Sequence, residues 1–258
     1  MCSFKCRIAR SAIACLILTA MLSMPFSAQG QEVLPTITVE GDRTGNSLTV
    51  PTPQQAEREI QYTPGSVQVV PDTLFKNQHS VTLKDVLDFV PGVLVQPKWG
   101  EDSRLSIRGS GLSRNFHLRS TQLFMDGIPI NTADGYGDFQ EIDPSAYRFV
   151  EVYKGANALR FGANALGGAI NFVTPSGRDM PGTGVSIDAG SFGFYRFQAH
   201  TAGVFGPADY FITGSYQAQD GFRAHSDGES TRANANLGYR FSENAETRFY
   251  INANTIRQ

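Results

Sequence analysis

The spacing of apolar positions changes character twice along this chain. Residues 31–63 show no period. They are polar and broken by Pro35, Pro51 and Pro53, with one β-prone island, PTITVE, at 35–40. This predicts a flexible segment. Residues 64–177 mix periods and predict a compact α/β unit. Asp72 is placed to cap a first helix, and Thr82 a second whose apolar face is Leu83, Val86, Leu87 and Val90, stopped by Pro91-Gly92. Five short runs bounded by glycine or proline predict strands: SVQVV, RLSIRG, QLFMDGIPI, RFVEVYKG and GGAINFVT. From residue 183 alternation takes over, more loosely in DYFITGSYQAQ at 209–219. Val185 and Ile187 oppose Ser186 and Asp188, and Tyr195 and Phe197 oppose Arg196 and Gln198. Ala233, Ala235, Leu237 and Tyr239 oppose Arg232, Asn234 and Asn236, and Phe249 and Ile251 oppose Arg248 and Asn252.

Runs of about ten residues with this alternation are what transmembrane barrel strands show. A soluble antiparallel sheet with one buried face gives the same period. The connections alternate too: GPAD and SENAE are short, and DGFRAHSDGES is longer, as short periplasmic turns and longer outer loops would be. The expected fold is therefore an α+β unit, a small mixed sheet with short helices, followed by the first strands of an antiparallel transmembrane β-barrel. The segment 178–258 has room for about five strands at about 9–11 residues each. Five strands do not close a barrel and lipid tolerates no open edge, so the chain is expected to be either a fragment or the start of a longer product.

Composition sharpens this. Lys5, Arg7 and Arg10 precede an apolar run from Ser11 to Met24, and Ala28-Gln29-Gly30 reads as a cleavage site. Residues 1–30 therefore predict a secretory signal peptide. The three cysteines all lie within it, so the mature chain has no disulfide to rely on. The net charge of −2 implies no long-range pull toward nucleic acid.

The stretch YKGANALRFGANALGGAINFV (153–173) is dense in glycine and alanine. It has neither phosphate-loop nor dinucleotide-loop spacing, and Arg160 interrupts it as a membrane seam. A turn remains: Gly155 ends one strand, residues 156–161 form one or two helical turns, and Gly162, Gly167 and Gly168 allow a sharp return packed against a close neighbour.

VEVYKGANALRFGANALGGAINFVTPSG, VTLKDVLDFVPGVLV, RLSIRGSG, LFMDGIPIN and EIDPSAYRFVEVYKG, in this order, resemble the plug domain of TonB-dependent outer-membrane receptors over residues 64–177. The strands after 178 resemble the start of such a receptor's barrel, of which about 17 of 22 strands would follow. The resemblance implies a Gram-negative outer-membrane location and a plug gating the pore. It implies active uptake of a scarce cargo driven by a TonB–ExbB–ExbD-type complex. PTITVE sits where the TonB box would be, and Thr36, Ile37, Thr38 and Val39 would add to a partner's sheet edge. Only a few residues separate Gln31 from Pro35, so no extra N-terminal signalling domain is expected.

By the same resemblance the loops 96–104, 109–120 and 131–140 face the cargo. Trp99, Arg114, Phe116, His117 and Tyr136 are the candidate contacts, with aromatics to clamp an organic shell and Arg or His to hold anionic oxygens. The crowding of Arg104, Arg108, Arg114 and Arg119 favours a ferric chelate such as a siderophore or ferric citrate; cobalamin, another metal complex or an oligosaccharide are the alternatives. Iron enters only as chelated cargo, and no cofactor or metal site of the protein's own is expected. Arg108 and Lys154 match positions of an ionic lock with barrel carboxylates beyond residue 258. Lys154 stands where the family more often has arginine, which leaves bidentate geometry there open.

Two other classes compete. An enzyme would need a motif such as G-x-S-x-G, H-E-x-x-H or C-x-x-C, and none is present; no catalytic residue is expected. A non-energised porin or adhesin would need neither plug nor box.

Overall fold

The computed structural model describes residues 46–258 other than 64, 79, 112–116, 119 and 163. The expected signal peptide and the island at 35–40 lie outside the described residues. So do Arg114, Phe116 and Arg119.

The second half of the stretch expected to be flexible is not so. Helix α1 spans Pro53–Gln61. Thr52 caps it: Gln55 N donates to Thr52 Oγ1 at 3.3 Å, and Gln55 Oε1 accepts from Thr52 N at 2.8 Å. That reciprocal box with proline at the first helical position starts a helix. The prolines taken as breakers sit before and at the start of the helix, where they do no harm. Ala56 of α1 and Val50 ahead of it are buried with Phe149 and Val173.

A five-stranded mixed sheet follows, in the order β1-β6-β7-β4-β5. Its strands are β1 (Val67–Pro71), β4 (Thr121–Met125), β5 (Ile128–Pro129), β6 (Phe149–Lys154) and β7 (Gly168–Val173). Strands β4 and β7 run parallel, and the other pairs are antiparallel. The run QLFMDGIPI is thus two strands, because Asp126 and Gly127 both take positive φ and turn the chain back on itself. A separate ribbon pairs β2 (Val93–Pro97) with β3 (Ser103–Ile107). Sequence period does not reveal β2, which follows the helix stop at Gly92 with no alternation of its own.

The helices are shorter than their apolar periods suggest. Helix α2 is only Asp72–Phe75, with Pro71 rather than Asp72 at the cap position. Helix α3, Leu83–Leu87, begins after the expected Thr82 cap.

Central strands β6 and β7 are buried on both faces. Val150, Val152, Ile170 and Phe172 point to one side, where α3 and the ribbon supply Leu83, Val86, Leu87, Leu105 and Ile107. Alternate residues point the other way, Phe149 and Val173 onto α1 and Tyr153 and Ala169 onto Ala158, Ala165 and Phe161. Two-sided burial is what a period of two requires of an inner strand.

The glycine-alanine corner is the turn expected. From Gly155 (φ +67°) a 3-10 helix runs Gly155–Phe161 and Gly162 reverses it. A Cβ on Gly167 would lie 2.6 Å from Ser110 Cβ, and one on Gly168 would lie 2.5 Å from Ile107 Cδ1 and 2.8 Å from the Tyr153 carbonyl oxygen. The close neighbour is the end of β3 with the start of the loop after it.

The last third is an antiparallel meander. It comprises β8 (Gly182–Ala189), β9 (Tyr195–Phe205), β10 (Ala208–Gln219), β11 (Gly228–Ser242) and β12 (Ala245–Arg257). Its burial is inverted relative to a soluble sheet. The buried positions are largely polar: Arg196, Asp209, Thr213, Ser215, Gln217, Ser230, Arg232, Asn234 and Asn236. The exposed ones are apolar, with Ile187 75 %, Phe249 66 % and Ile251 56 % exposed. A soluble domain would not turn isoleucine and phenylalanine to water while sequestering asparagine and arginine; a wall between lipid and a polar lumen does. Among the described residues no helix is long and apolar enough to cross a membrane.

Candidate functional site

The two ends of the sheet differ. Turns β9–β10 (Gly206-Pro207) and β11–β12 (Glu243-Asn244) are two residues long, whereas β8–β9 and β10–β11 are joined by residues 190–194 and 220–227. In a membrane barrel the longer connections face outward. The loops of the mixed-sheet unit sort accordingly. Glu101, between β2 and β3, accepts from Ser230 Oγ at 3.0 Å and from Gln217 Nε2 at 2.5 Å. The Gln140 side chain meets Gln258 at 3.1 Å. Loops 96–104 and 131–140 therefore lie at the long-loop end. Residues 46–49 and 175–178 lie at the short-turn end, against Glu246 and Asp209.

At the long-loop end residues 117–118 meet the loop 131–140. His117 and Tyr136 form an isolated β-bridge, with their rings edge-to-face at 6.4 Å. Leu118 N donates to the Gly135 carbonyl at 2.7 Å. His117 Nε2 lies 3.1 Å from Asp134 Oδ2. The Asp134 carboxyl is held below the usual range by hydrogen bonds from Thr132 and Tyr136 N and by His117. The Tyr136 phenol is pushed up by burial and by Asp138, Asp102 and Glu141. Trp99 is 58 % exposed. The structure thus brings His117 and Tyr136 together at an exposed apex, with Trp99 exposed on the loop 96–104 at the same end. The described part of that apex also carries carboxylates at 101, 102, 134, 138 and 141, a feature the arginine-based expectation of an anionic cargo leaves out.

Beneath the apex the interface with the sheet is largely polar. Arg232 donates to Glu101 and to the Gln140 carbonyl. Ser215 Oγ donates to Asp143 Oδ2 at 2.6 Å, Gln198 Nε2 to the Ser145 carbonyl at 3.0 Å, and Arg196 Nη1 to the Ser80 carbonyl at 2.5 Å. A mixed-sheet body fills a sheet whose polar face turns to it and whose apolar face turns away. The family profile described as TonB-dependent Receptor Plug Domain matches residues 59–169.

This chain carries a TonB-dependent receptor plug domain. It is 27 % identical over 195 residues to the vitamin B12 transporter BtuB of Vibrio vulnificus, covering 75 % of this chain and 31 % of that one. It is 31 % identical over 189 residues to the ferric-pyoverdine M114 receptor PbuA of Pseudomonas sp. (strain M114), covering 69 % of this chain and 22 % of the relative. Among solved structures it resembles the siderophore receptor PirA from Acinetobacter baumannii, with a TM-score of 0.58 and 19 % identity over 77 % of this chain and 32 % of PirA. The chain spans about a third of the length of these proteins or less.

The remaining plug residues fall as follows. Arg108, at the end of β3, is exposed with φ +51°. Lys154, at the end of β6, is 5 % exposed and donates to the Pro91 carbonyl at 2.7 Å and towards Gln68 Oε1 at 3.5 Å. Burial and the Arg108 charge push the Lys154 ammonium down from its ordinary value. The two cations are neighbours, and among the described residues neither meets a carboxylate. Among the described residues, the ion pair that does link plug and barrel wall is Arg232–Glu101, with Arg178–Asp209 where the plug runs into the wall; Arg248 pairs with Asp209 and Glu246 within the wall itself. The polar face carrying Arg232 and Arg248 is evident from alternation; their partners, more than thirty residues away along the chain in every plug contact, are not.

Proposed function

We propose that this chain forms the plug and first wall strands of a Gram-negative outer-membrane receptor that takes up a ferric chelate, with uptake driven by a TonB–ExbB–ExbD-type complex. The observation that carries the location is the inverted burial of β8–β12. Cargo is received by Trp99, His117 and Tyr136 on the side of the longer loops, with Arg114 and Phe116, close in sequence to His117, as further contacts. Aromatic faces suit an organic chelator shell and charge-assisted donors suit its oxygens. The names of PbuA and PirA favour a siderophore, and that of BtuB makes cobalamin the rival.

Residues 36–39 pair as an added strand with the periplasmic energy-transducing protein. Arg108 and Lys154 form an ionic lock with barrel carboxylates outside the described residues. Outer membranes bearing the receptor should bind radiolabelled ferric siderophores or ferric citrate in preference to cobalamin. Ile37→Pro should retain that binding and lose uptake. Preferential cobalamin binding overturns the cargo; normal uptake by Ile37→Pro overturns the box; uptake that survives collapse of the proton gradient overturns the energised mechanism.

A further inference from the structure

At the short-turn end, the leader just before α1 is fastened to the barrel wall by one carboxylate. Glu246, at the start of β12, has a fully buried side chain. Its Oε1 accepts from Ser47 Oγ at 2.6 Å and Thr49 Oγ1 at 3.0 Å, and its Oε2 from Leu48 N at 3.0 Å. Arg248 Nε donates to the same carboxylate at 2.7 Å, and Arg240 to its other oxygen at 3.3 Å. Arg240 also donates to the Asn46 carbonyl. The other end of Arg248 holds Asp209 at 2.9 and 3.0 Å. Asp209 in turn accepts from Gly177 N at 3.2 Å and Arg178 Nε at 3.0 Å, where the plug continues into the wall. Arg248 is thus a post between the two points at which the plug enters and leaves this part of the wall.

The two points differ in kind. At Asp209 the chain itself runs on into β8. At Glu246 the leader is joined to the wall by hydrogen bonds, from a segment with no helix or strand of its own. Removing the leader leaves Glu246 with Arg240 and Arg248, so no buried charge is stranded by its departure, the usual large cost of breaking such a site.

We propose that Glu246 is a releasable clasp for residues 46–49. It fixes where the tether leaves the barrel, and it opens without disturbing α1 or the Asp209 junction. This rests on the receptor function proposed above for its purpose, though not for its existence. The test uses nitroxide labels in outer-membrane vesicles bearing the protein, without cargo or energy source. One label is carried on Leu48→Cys, whose side chain is half exposed, and another on Glu57→Cys, on the exposed face of α1. Adding Ser47→Ala with Thr49→Ala, which leaves the wall intact, should raise the mobile fraction severalfold at position 48 and leave position 57 unchanged. Glu246→Ala should do the same. No change at 48 in either background overturns the clasp. Mobilisation of both labels overturns its independence from α1. Uptake assays bear on the receptor function alone, so the two can fail separately.

Discussion

Arg232 on β11 donates to Glu101 in the loop after β2, with side chains only 3 % and 9 % exposed. Ser230 and Gln217 complete the carboxylate's partners, and the guanidinium also donates to the Gln140 carbonyl and to Ser230 Oγ. A pair this well satisfied contributes less by existing than its loss would cost, since removing one member strands the other: about 3–5 kcal/mol is typical. Glu101→Ala should therefore loosen the outer end of the plug, read as a lower urea midpoint for protease protection of plug peptides in outer membranes. Arg232→Met on top of it should recover most of the loss. If the double variant is as labile as the single one, the pair is not what anchors that loop.

How much of this is legible beforehand depends on the range of the interaction. The alternation of β8–β12 is set by adjacent residues, and so are the Thr82 cap and the Gly155–Gly168 corner; these are evident from the chain alone. Helix α1 is also written locally, in Thr52-Pro53-Gln54-Gln55, but prolines and polarity mask it. Strand β2 is legible only through its partner β3. Hardest to foresee is the pairing of Glu101 with Arg232 and of Ser47 with Glu246, because nothing local distinguishes a wall arginine that meets a plug carboxylate from one that lines an aqueous lumen. Sequence directs attention to Arg108 and Lys154 instead, which among the described residues meet no carboxylate.

Gly168 tests the corner. A methyl group there would approach both Ile107 and the Tyr153 carbonyl, and the residue has φ +158°. Backbone cannot give way as a flexible side chain can. Gly168→Ala should destabilise the plug by about 1–3 kcal/mol, the usual cost of overpacking a close-packed site. The same urea-protease measurement reads it. Gly127→Ala, where nothing lies within 4 Å of the added carbon, should show only the smaller effect of positive φ (+78°). Equal losses at the two positions would mean that crowding is not the reason for Gly168.

Asp126 introduces a pH dependence. It sits between β4 and β5 and accepts from Thr174 N at 2.8 Å and Thr174 Oγ1 at 2.9 Å. Burial nonetheless pushes its carboxyl up to about 7. The folded plug then holds a proton that the unfolded chain has released. The stabilisation is complete below the ordinary carboxylate value of 3.8 and is lost as pH rises through about 7. Plug stability should fall between pH 5 and pH 8, and Asp126→Asn, which cannot titrate, should flatten that slope. Parallel pH profiles for the two proteins would show that Asp126 titrates normally.

The apex can be separated from the scaffold because its aromatic residues are exposed. Trp99 is mostly open, and Tyr136 lies at the margin of exposure with its ring against His117. Neither belongs to the buried plug clusters. Trp99→Ala and Tyr136→Ala should therefore leave the protease pattern of the plug unchanged. Each should weaken ferric-chelate binding by about 2 kcal/mol, roughly thirtyfold, if it is an anchoring contact. Asp134→Asn removes the charge that His117 faces and should weaken binding less than either aromatic change, because the carboxylate orients the ring without offering a face to the cargo. Titration calorimetry with the chelate that binds best decides this. Wild-type affinity in both aromatic variants would move the cargo site away from the plug apex and onto loops of the wall.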